Sequence, residues 1–347
     1  MQLIAHRGGA VEAPENTMGA LSRALQLGAD GVEFDLQRTL DDRLIILHDD
    51  TLERTAAPFS PLVAAQTGMD EAAYTQLIQT NVNFLTLEEV QRVDVGSFFH
   101  AEWHTERVPV FEDALHLVAR FPGRKLYAEI KTGDFQSADL CQKLVLKLQP
   151  RPEQLWFIGF NLEVIKHTKR LLPAYPAMHV VHPRIPVLGL TEDEFVSMAL
   201  ESAQELDGID PCAVPTSVTP RLVDAVRSLP TEPGAPRKTV ACWVWKRFPE
   251  TDMLENWRYL VNVARVDAIT TDRPADFLKF LEDEFPASGG GANAAADCIA
   301  GSGDVVDSAA CSNVDRGVDT CESKESSTPQ QGAHSPSNAQ AVVVETH

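Results

Sequence analysis

The sequence predicts an α/β fold closed as a (β/α)8 barrel, and three observations carry the prediction. Short apolar, β-rich runs alternate with longer segments of helical periodicity, the pattern of a parallel sheet covered by helices. Eight such runs fit into about 280 residues, which favours a closed TIM barrel over an open, doubly wound sheet. One further short run breaks the alternation, and the last sixty or so residues lose their large apolar side chains. The barrel is therefore expected to carry a hairpin and helical insertion after its second strand, and a disordered C-terminal tail.

The first strand is expected at residues 2–5. A helical pattern follows over 17–27, apolar at Met18, Leu21, Ala24 and Leu25. It stops at Gly28, a residue suited to the left-handed position just past a helix end. The second strand is expected at 31–36. Residues 43–47 also read as a strand, yet they follow Leu36 by only six residues, too few for a parallel crossover. They are expected to run antiparallel, as a hairpin off the second strand, ending in His48-Asp49-Asp50. The stretch from Thr51 to Gly123 is longer than one barrel helix requires. It contains Thr86-Leu87-Glu88-Glu89, a capping box that opens a helix, and a second helix near 111–120. An insertion is thus expected at about 50–110, with 56–84 as a lobe or lid; at the C-terminal rim of a barrel such an insertion shapes access to a site. Strands at 125–130, 155–159, 178–181, 208–209, 239–244 and 268–271 complete the eight. Helices at 136–148, 162–172, 192–203, 220–229 and 253–264 lie between them.

Composition changes near residue 286. From Ala287 onward the chain is rich in Ala, Gly, Ser, Asp and Asn and has no Trp, Tyr, Phe or Leu. Residues 1–286 are read as the barrel and 287–347 as an acidic, low-complexity, disordered tail. The body holds 42 acidic and 28 basic residues, a charge of −14 within the total of −20. So acidic a body argues against nucleic-acid binding, which needs basic groups to displace counterions, and against docking on anionic membranes by charge. No segment approaches the roughly 18 apolar residues of a membrane span, and MQLIAH lacks the basic start of a secretory signal. Six scattered Cys without CxxC spacing read as reduced thiols. These features are read as those of a soluble intracellular protein, expected in the cytoplasm.

Three strands end in groups that a core would not choose. The first ends in His6-Arg7, the second holds Glu33-Phe34-Asp35, and the 125–130 strand runs into Glu129-Ile130-Lys131. Residues two apart on a strand face the same side. Glu33 and Asp35 therefore project together, as do Glu129 and Lys131, while Phe34 and Ile130 turn to the helix layer. In a barrel all of them meet at the rim. Three converging carboxylates repel one another unless something neutralises them, and a hard divalent cation with oxygen ligands does so. Arg7 and Lys131 would then face an anion, and Arg suits a phosphate geometrically. His6 and His48 offer an acid and a base near neutral pH. Taken singly, each feature is more often structural. Their joint occurrence at three strand ends points to phosphodiester cleavage.

The same residues resemble the signature of the glycerophosphodiester phosphodiesterases. The resemblance lies in His6-Arg7-Gly8-Gly9, Pro14-Glu15-Asn16-Thr17, Glu33-Phe34-Asp35 and His48-Asp49. It continues in Asp94-Val95-Gly96-Ser97, in 109–115 (PVFEDAL), in Glu129-Ile130-Lys131 and in Thr270-Thr271-Asp272-Arg273-Pro274, so that it spans roughly 2–280. It implies a barrel with bound Mg2+ or Ca2+ held by Glu33, Asp35 and Glu129. It also implies His6 and His48 as the acid–base pair, Arg7 and Lys131 on the phosphate, and hydrolysis of glycerophosphodiesters to glycerol 3-phosphate and an alcohol. On this view Gly8 and Gly9 let the backbone turn tightly beside the phosphate, and Glu15, Asn16 and Thr17 open the first helix and brace the site.

Two places depart from the family pattern. Gly159 precedes Phe160 where Ser is usual, and Trp243 is followed by Val244-Trp245-Lys246 in place of Thr-Val-Asn. Phe160 and Trp243 are expected to line the mouth that receives the alcohol; there Trp243 and Trp245 either offer a cation–π surface to a choline-like group or one of them simply fills the barrel interior. These departures bear on substrate choice, with a lysophospholipase D or sphingomyelinase D-like action on lipids as the alternative. A barrel that binds a phosphorylated ligand without turnover is the remoter one. Asp272 is expected to close the last strand, and His179 and His182 to be packing or rim residues.

Overall fold

The computed structural model describes residues 1–286 apart from 132, 134, 232 and 233; the expected tail at 287–347 lies outside the described residues. One sheet is formed by β1 (Gln2–Ala5), β2 (Gly31–Arg38), β3 (Leu44–Ile46), β4 (Lys125–Ile130), β5 (Leu155–Gly159), β6 (Ala177–Val181), β7 (Gly208–Pro211), β8 (Thr239–Val240) and β9 (Ala268–Thr271). Its order is β8-β7-β6-β5-β4-β2-β1-β9, every neighbouring pair being parallel, with β3 added antiparallel to β2. Backbone hydrogen bonds then span from the β8 segment to β9. Asp267 N–H donates to Val240 C=O (2.8 Å), Cys242 N–H to Ala268 C=O (3.1 Å) and Thr270 N–H to Cys242 C=O (2.9 Å). These bonds bring the eight parallel strands round into the barrel that the alternation predicted.

A helix follows each barrel strand: Met18–Leu27, Phe111–Ala119, Phe135–Leu148, Leu162–Leu171, Glu192–Gln204, Pro220–Arg227, Leu254–Arg258 and Pro274–Glu284. The first begins where the Thr17 side chain accepts the Ala20 N–H and ends at Gly28, whose φ of 109° only glycine adopts readily. Alternation along the strands divides the core. Phe34, Leu36, Leu126, Ala128 and Ile130 face outward and pack with the helices. Ile4, Tyr127, Ile158, Met178, Val180, Ala241 and Ala268 fill the barrel interior. This plug keeps water from the floor of the barrel. Glu33, Asp35 and Glu129 stand on the inner face, with Glu33 opposite Tyr127 and Asp35 opposite Glu129 in the β2–β4 register.

The hairpin is where the short spacing put it, with Leu36 opposite Ile46 and Arg38 opposite Leu44. Leu47 N–H then donates to the Asp35 carbonyl at 3.0 Å, which returns the chain at His48 to the level of Asp35 on β2. Beyond it, short helices at Pro61–Thr67, Glu71–Gln79 and Leu87–Val90 close a second hydrophobic cluster around Ile45, Leu52, Val63, Tyr74, Leu77 and Val93. The Thr86–Glu89 capping box forms as the sequence implies.

Two elements differ most from expectation. The strand anticipated at 239–244 is regular only at Thr239–Val240, although its backbone stays bonded to both neighbours through Trp243, before a turn that pairs Trp245 with Phe248. The helix anticipated at 253–264 is α-helical over Leu254–Arg258 and continues with wider winding over Tyr259–Ala264. The spacing of buried Trp257, Leu260 and Ala264 serves one face in either winding, so periodicity does not separate them. Among the described residues no helix is long and apolar enough to cross a membrane.

Candidate functional site

The three carboxylates meet as the alternation required. Glu33, Asp35 and Glu129 each offer an oxygen within 4.8 Å of the others, and all three are buried. Glu33 Oε1 and Asp35 Oδ1 have no hydrogen-bond partner. Burial, with the adjacent charge of Asp35, pushes the Glu33 carboxyl well above the usual carboxylate range. Burial presses Asp35 the same way, but His48, Arg7 and Lys131 more than offset it and hold Asp35 ionised. Lys131 Nζ lies 3.2 Å from Glu129 Oε1 and 3.6 Å from Asp35 Oδ1. Buried oxygens with open lone pairs and more negative charge than the site easily carries fit a hard divalent cation. The residues present thus suit the cation that the sequence implied.

The loop after β1 is built to reach this cluster. Arg7 sits in the left-handed region (φ 51°, ψ 27°) and Asn16 has φ 58°, conformations that cost a non-glycine residue about 1 kcal/mol each. Their hydrogen bonds hold them there. Arg7 N–H donates to Glu33 Oε2 (2.9 Å), the Arg7 carbonyl accepts Asn16 N–H (2.9 Å), and Asn16 Nδ2 donates to Asp35 Oδ2 (2.8 Å). The Arg7 guanidinium donates to Glu15 Oε1 at 2.9 Å, and its Nε stands 3.3 Å from Asp35 Oδ2. Gly8 and Gly9 have φ of 84° and 94°. The close approach they allow differs from the expected one. A Cβ on Gly8 would meet the backbone of Ala20 and Leu21 at 2.8 Å, and one on Gly9 would meet Pro274. The glycines seat the loop on the first and last helices, and Arg7 is the residue turned toward the site.

The two imidazoles have opposite surroundings. Burial and the charge of Arg7 pull His6 down, but Asp272, whose Oδ1 is 2.7 Å from His6 Nδ1, joins Glu33 to push it up to about 8. His6 Nε2 is 3.8 Å from Glu33 Oε2. For His48 burial wins over the attraction of Asp35 and Asp49, and its pKa falls below the ordinary imidazole value. His48 Nδ1 is 2.6 Å from Asp49 Oδ1. Burial would raise Asp49, but its bonds to His48 and Arg54 lower it to about 2. Their surroundings thus push the two imidazoles in opposite directions, His6 up and His48 down.

At the mouth, Lys131 Nζ lies 6.0 Å from the Phe160 ring. From Phe160 an aromatic wall continues through His182 (ring centroids 4.4 Å apart, stacked) and Trp243 (5.3 Å, edge-on), then Trp245 (5.6 Å from Trp243). His182 therefore belongs to the rim. His179 is structural, with its ring nitrogens on Ser202 Oγ and the Phe160 carbonyl. Three neighbours of the site lie outside the sequence motifs or carry another role there. Asp272 does more than end a strand, since it holds His6. Arg54 binds Asp49 and Glu15. Asp210, on the inner face of β7, is fully buried, with neither oxygen hydrogen-bonded. Burial, with Glu129 nearby, pushes Asp210 up to about 8.

Known proteins resemble this chain in sequence and in fold. Residues 6–276 match the model of the glycerophosphoryl diester phosphodiesterase family. A glycerophosphodiester phosphodiesterase of Caldanaerobacter subterraneus subsp. tengcongensis is 27% identical over 287 residues, which is 80% of this chain and 97% of that protein. One from Bacillus altitudinis is 32% identical over 230 residues, 59% of this chain and 83% of that protein. Among solved structures, an Oleispira antarctica phosphodiesterase in complex with the product sn-glycerol-3-phosphate superposes with a TM-score of 0.62. It is 21% identical and covers 81% of this chain and 97% of its own; at that identity the likeness speaks for the fold.

Proposed function

Because the chain belongs to the glycerophosphoryl diester phosphodiesterase family, we propose that it hydrolyses glycerophosphodiesters to glycerol 3-phosphate and an alcohol at the carboxylate cluster, with a divalent cation, Mg2+ or Ca2+. The observation that carries this reading is the convergence of Glu33, Asp35 and Glu129 near two imidazoles, one held by Asp272 and the other by Asp49. Glu33, Asp35 and Glu129 would hold the cation, which would supply electrostatic stabilisation of charge on the phosphoryl oxygens. Arg7 and Lys131, beside Asp35, bind the phosphate and orient it. His48, neutral and held by Asp49, takes the proton from the attacking oxygen. His6, charged and held through Nδ1 by Asp272, gives the Nε2 proton to the leaving alkoxide. Phe160 and Trp243 face the alcohol. Buried free thiols at Cys141, Cys212 and Cys242 support a reducing compartment, the cytoplasm.

The test is release of glycerol 3-phosphate from several glycerophosphodiesters, followed by a coupled assay with EDTA, Mg2+ and Ca2+ in parallel. The expected result is cation-dependent release that falls at least about a hundredfold in His6→Ala and in His48→Ala. Release that ignores EDTA, or variants with near-normal turnover, would overturn the proposal. The aromatic wall, followed in the chain by exposed Ile185 and Val187, favours a second reading in which the alcohol carries a lipid chain. Preference for micellar lysophosphatidylcholine over glycerophosphocholine would select it.

A further inference from the structure

Arg54 lies on the segment after β3, six residues beyond His48, and belongs to none of the motifs that mark the site. Its guanidinium is bidentate to two carboxylates at once. Nε donates to Asp49 Oδ2 at 2.6 Å and a terminal nitrogen to Asp49 Oδ1 at 3.0 Å. The terminal nitrogens also donate to Glu15 Oε2 at 2.6 Å and to Glu15 Oε1 at 2.8 Å. Each carboxylate is shared with a residue of the proposed machinery. Asp49 Oδ1 also takes His48 Nδ1, and Glu15 Oε1 also takes an Arg7 guanidinium nitrogen. One continuous chain of charged hydrogen bonds therefore runs His48–Asp49–Arg54–Glu15–Arg7.

We propose that Arg54 is a positioning residue that fixes the separation and orientation of His48 and Arg7 by clamping Asp49 and Glu15 together. The proposal rests on the roles given to His48 and Arg7 above. His48 arrives from the hairpin and Arg7 from the end of β1, so a joint between them determines whether base and phosphate clamp address the same substrate. Only a planar fork can meet two carboxylates bidentately; a lysine ammonium is a point charge and cannot. The backbone that carries Arg54 is itself pinned. Leu52 is buried and donates its N–H to the Ile78 carbonyl (3.0 Å), and Ala57 N–H donates to the Asp94 carbonyl (2.8 Å). The inserted helices thereby gain a part in the reaction, since they hold the clamp that aligns it. Ordinary surface ion pairs matter little. This one differs because Glu15 is 5% exposed and Asp49 20%, although Arg54 itself is 37% exposed.

The experiment compares the full-length wild type with Arg54→Ala and Arg54→Lys in glycerophosphodiester hydrolysis, thermal melting and the ring-nitrogen NMR spectrum of His48. In Arg54→Ala, kcat should fall about a hundredfold, the loss that a displacement near 1 Å brings. Its fold should be retained and its His48 resonances shifted. Arg54→Lys should recover less than about a tenth of the loss, because it cannot be bidentate to both partners. Added guanidinium, well below denaturing concentration, should restore Arg54→Ala but not the double variant that also carries Asp49→Asn. Turnover of either folded variant within about threefold of wild type, with unmoved His48 resonances, overturns the clamp. So does a loss that follows only the unfolded fraction and is not rescued by guanidinium. A wild type without diesterase activity whose His48 resonances still move in Arg54→Ala would instead overturn the hydrolase reading and keep the clamp.

Discussion

Replacing Asp272 with Asn in chelator-treated protein should change His6 from charged to neutral at neutral pH. In the intact chain burial and Arg7 lower the His6 pKa. Asp272, in contact at 2.7 Å, joins Glu33 to push it up to about 8 from an ordinary 6.5. At about 1.4 kcal/mol per pKa unit, that difference is worth about 2 kcal/mol. The side chain is 12% exposed, so solvent screening removes little of it. The folded state binds the proton more tightly than the unfolded chain does. The stabilisation is therefore complete below pH 6.5 and is lost as the pH rises through about 8. Without the Asp272 charge and hydrogen bond, burial prevails and His6 falls below 6.5. The stability advantage of wild type over Asp272→Asn should then shrink by about 2 kcal/mol between about pH 6 and about pH 9, as measured by urea denaturation. Titration of the His6 ring proton by NMR, assigned with His6→Gln, reads the same quantity directly. A wild-type midpoint at or below 6.5, or a stability gap constant across this range, refutes the reasoning.

Asp210 gives a linkage of the same sign from a carboxyl. Its carboxyl is pushed up to about 8 from 3.8 by burial and by Glu129, so the native state loses stability as the pH rises through that interval. Asp210→Asn cannot ionise and should lack this loss. Its stability relative to wild type should rise steadily from about pH 4 to about pH 8, and parallel stability curves from chemical denaturation would contradict this. Gly208→Ala should lower stability by more than about 3 kcal/mol, because a Cβ there overlaps the Thr239 carbonyl across the β7–β8 pairing. Thermal melting within a degree or two of wild type would argue against so close a strand contact.

Much of the site was legible because charged residues stood where strand alternation demands inward-facing side chains. Glu33, Asp35 and Glu129 needed only the period of two and a closed sheet. His48 needed only the six-residue gap that forbids a crossover. Asp272 was harder. Its bond to His6 follows from the parallel pairing of β1 with β9, which sets Ala5 opposite Thr271, a contact between the two ends of the barrel. Arg54 was illegible because it sits in an irregular segment, where no periodicity assigns a direction to a side chain. Asp210 was missed because the strand was expected to end at Ile209, one residue short of the inward-facing carboxyl. The aromatic wall was half visible. Trp243 and Trp245 stood out, but the turn pairing Trp245 with Phe248, and the stacking of His182 on Phe160, come from tertiary packing.

Calorimetric titration of the chelator-treated chain with Mg2+ and with Ca2+ tests the central claim most directly, namely that Glu33, Asp35 and Glu129 jointly hold one divalent cation. The expected result is one cation per chain, with a proton released near neutral pH because Glu33 is pushed up and cation binding requires it ionised. Asp35→Asn and Glu129→Gln should each weaken binding at least about tenfold. Binding unchanged in both variants, or no binding of either cation by the wild type, would contradict the account.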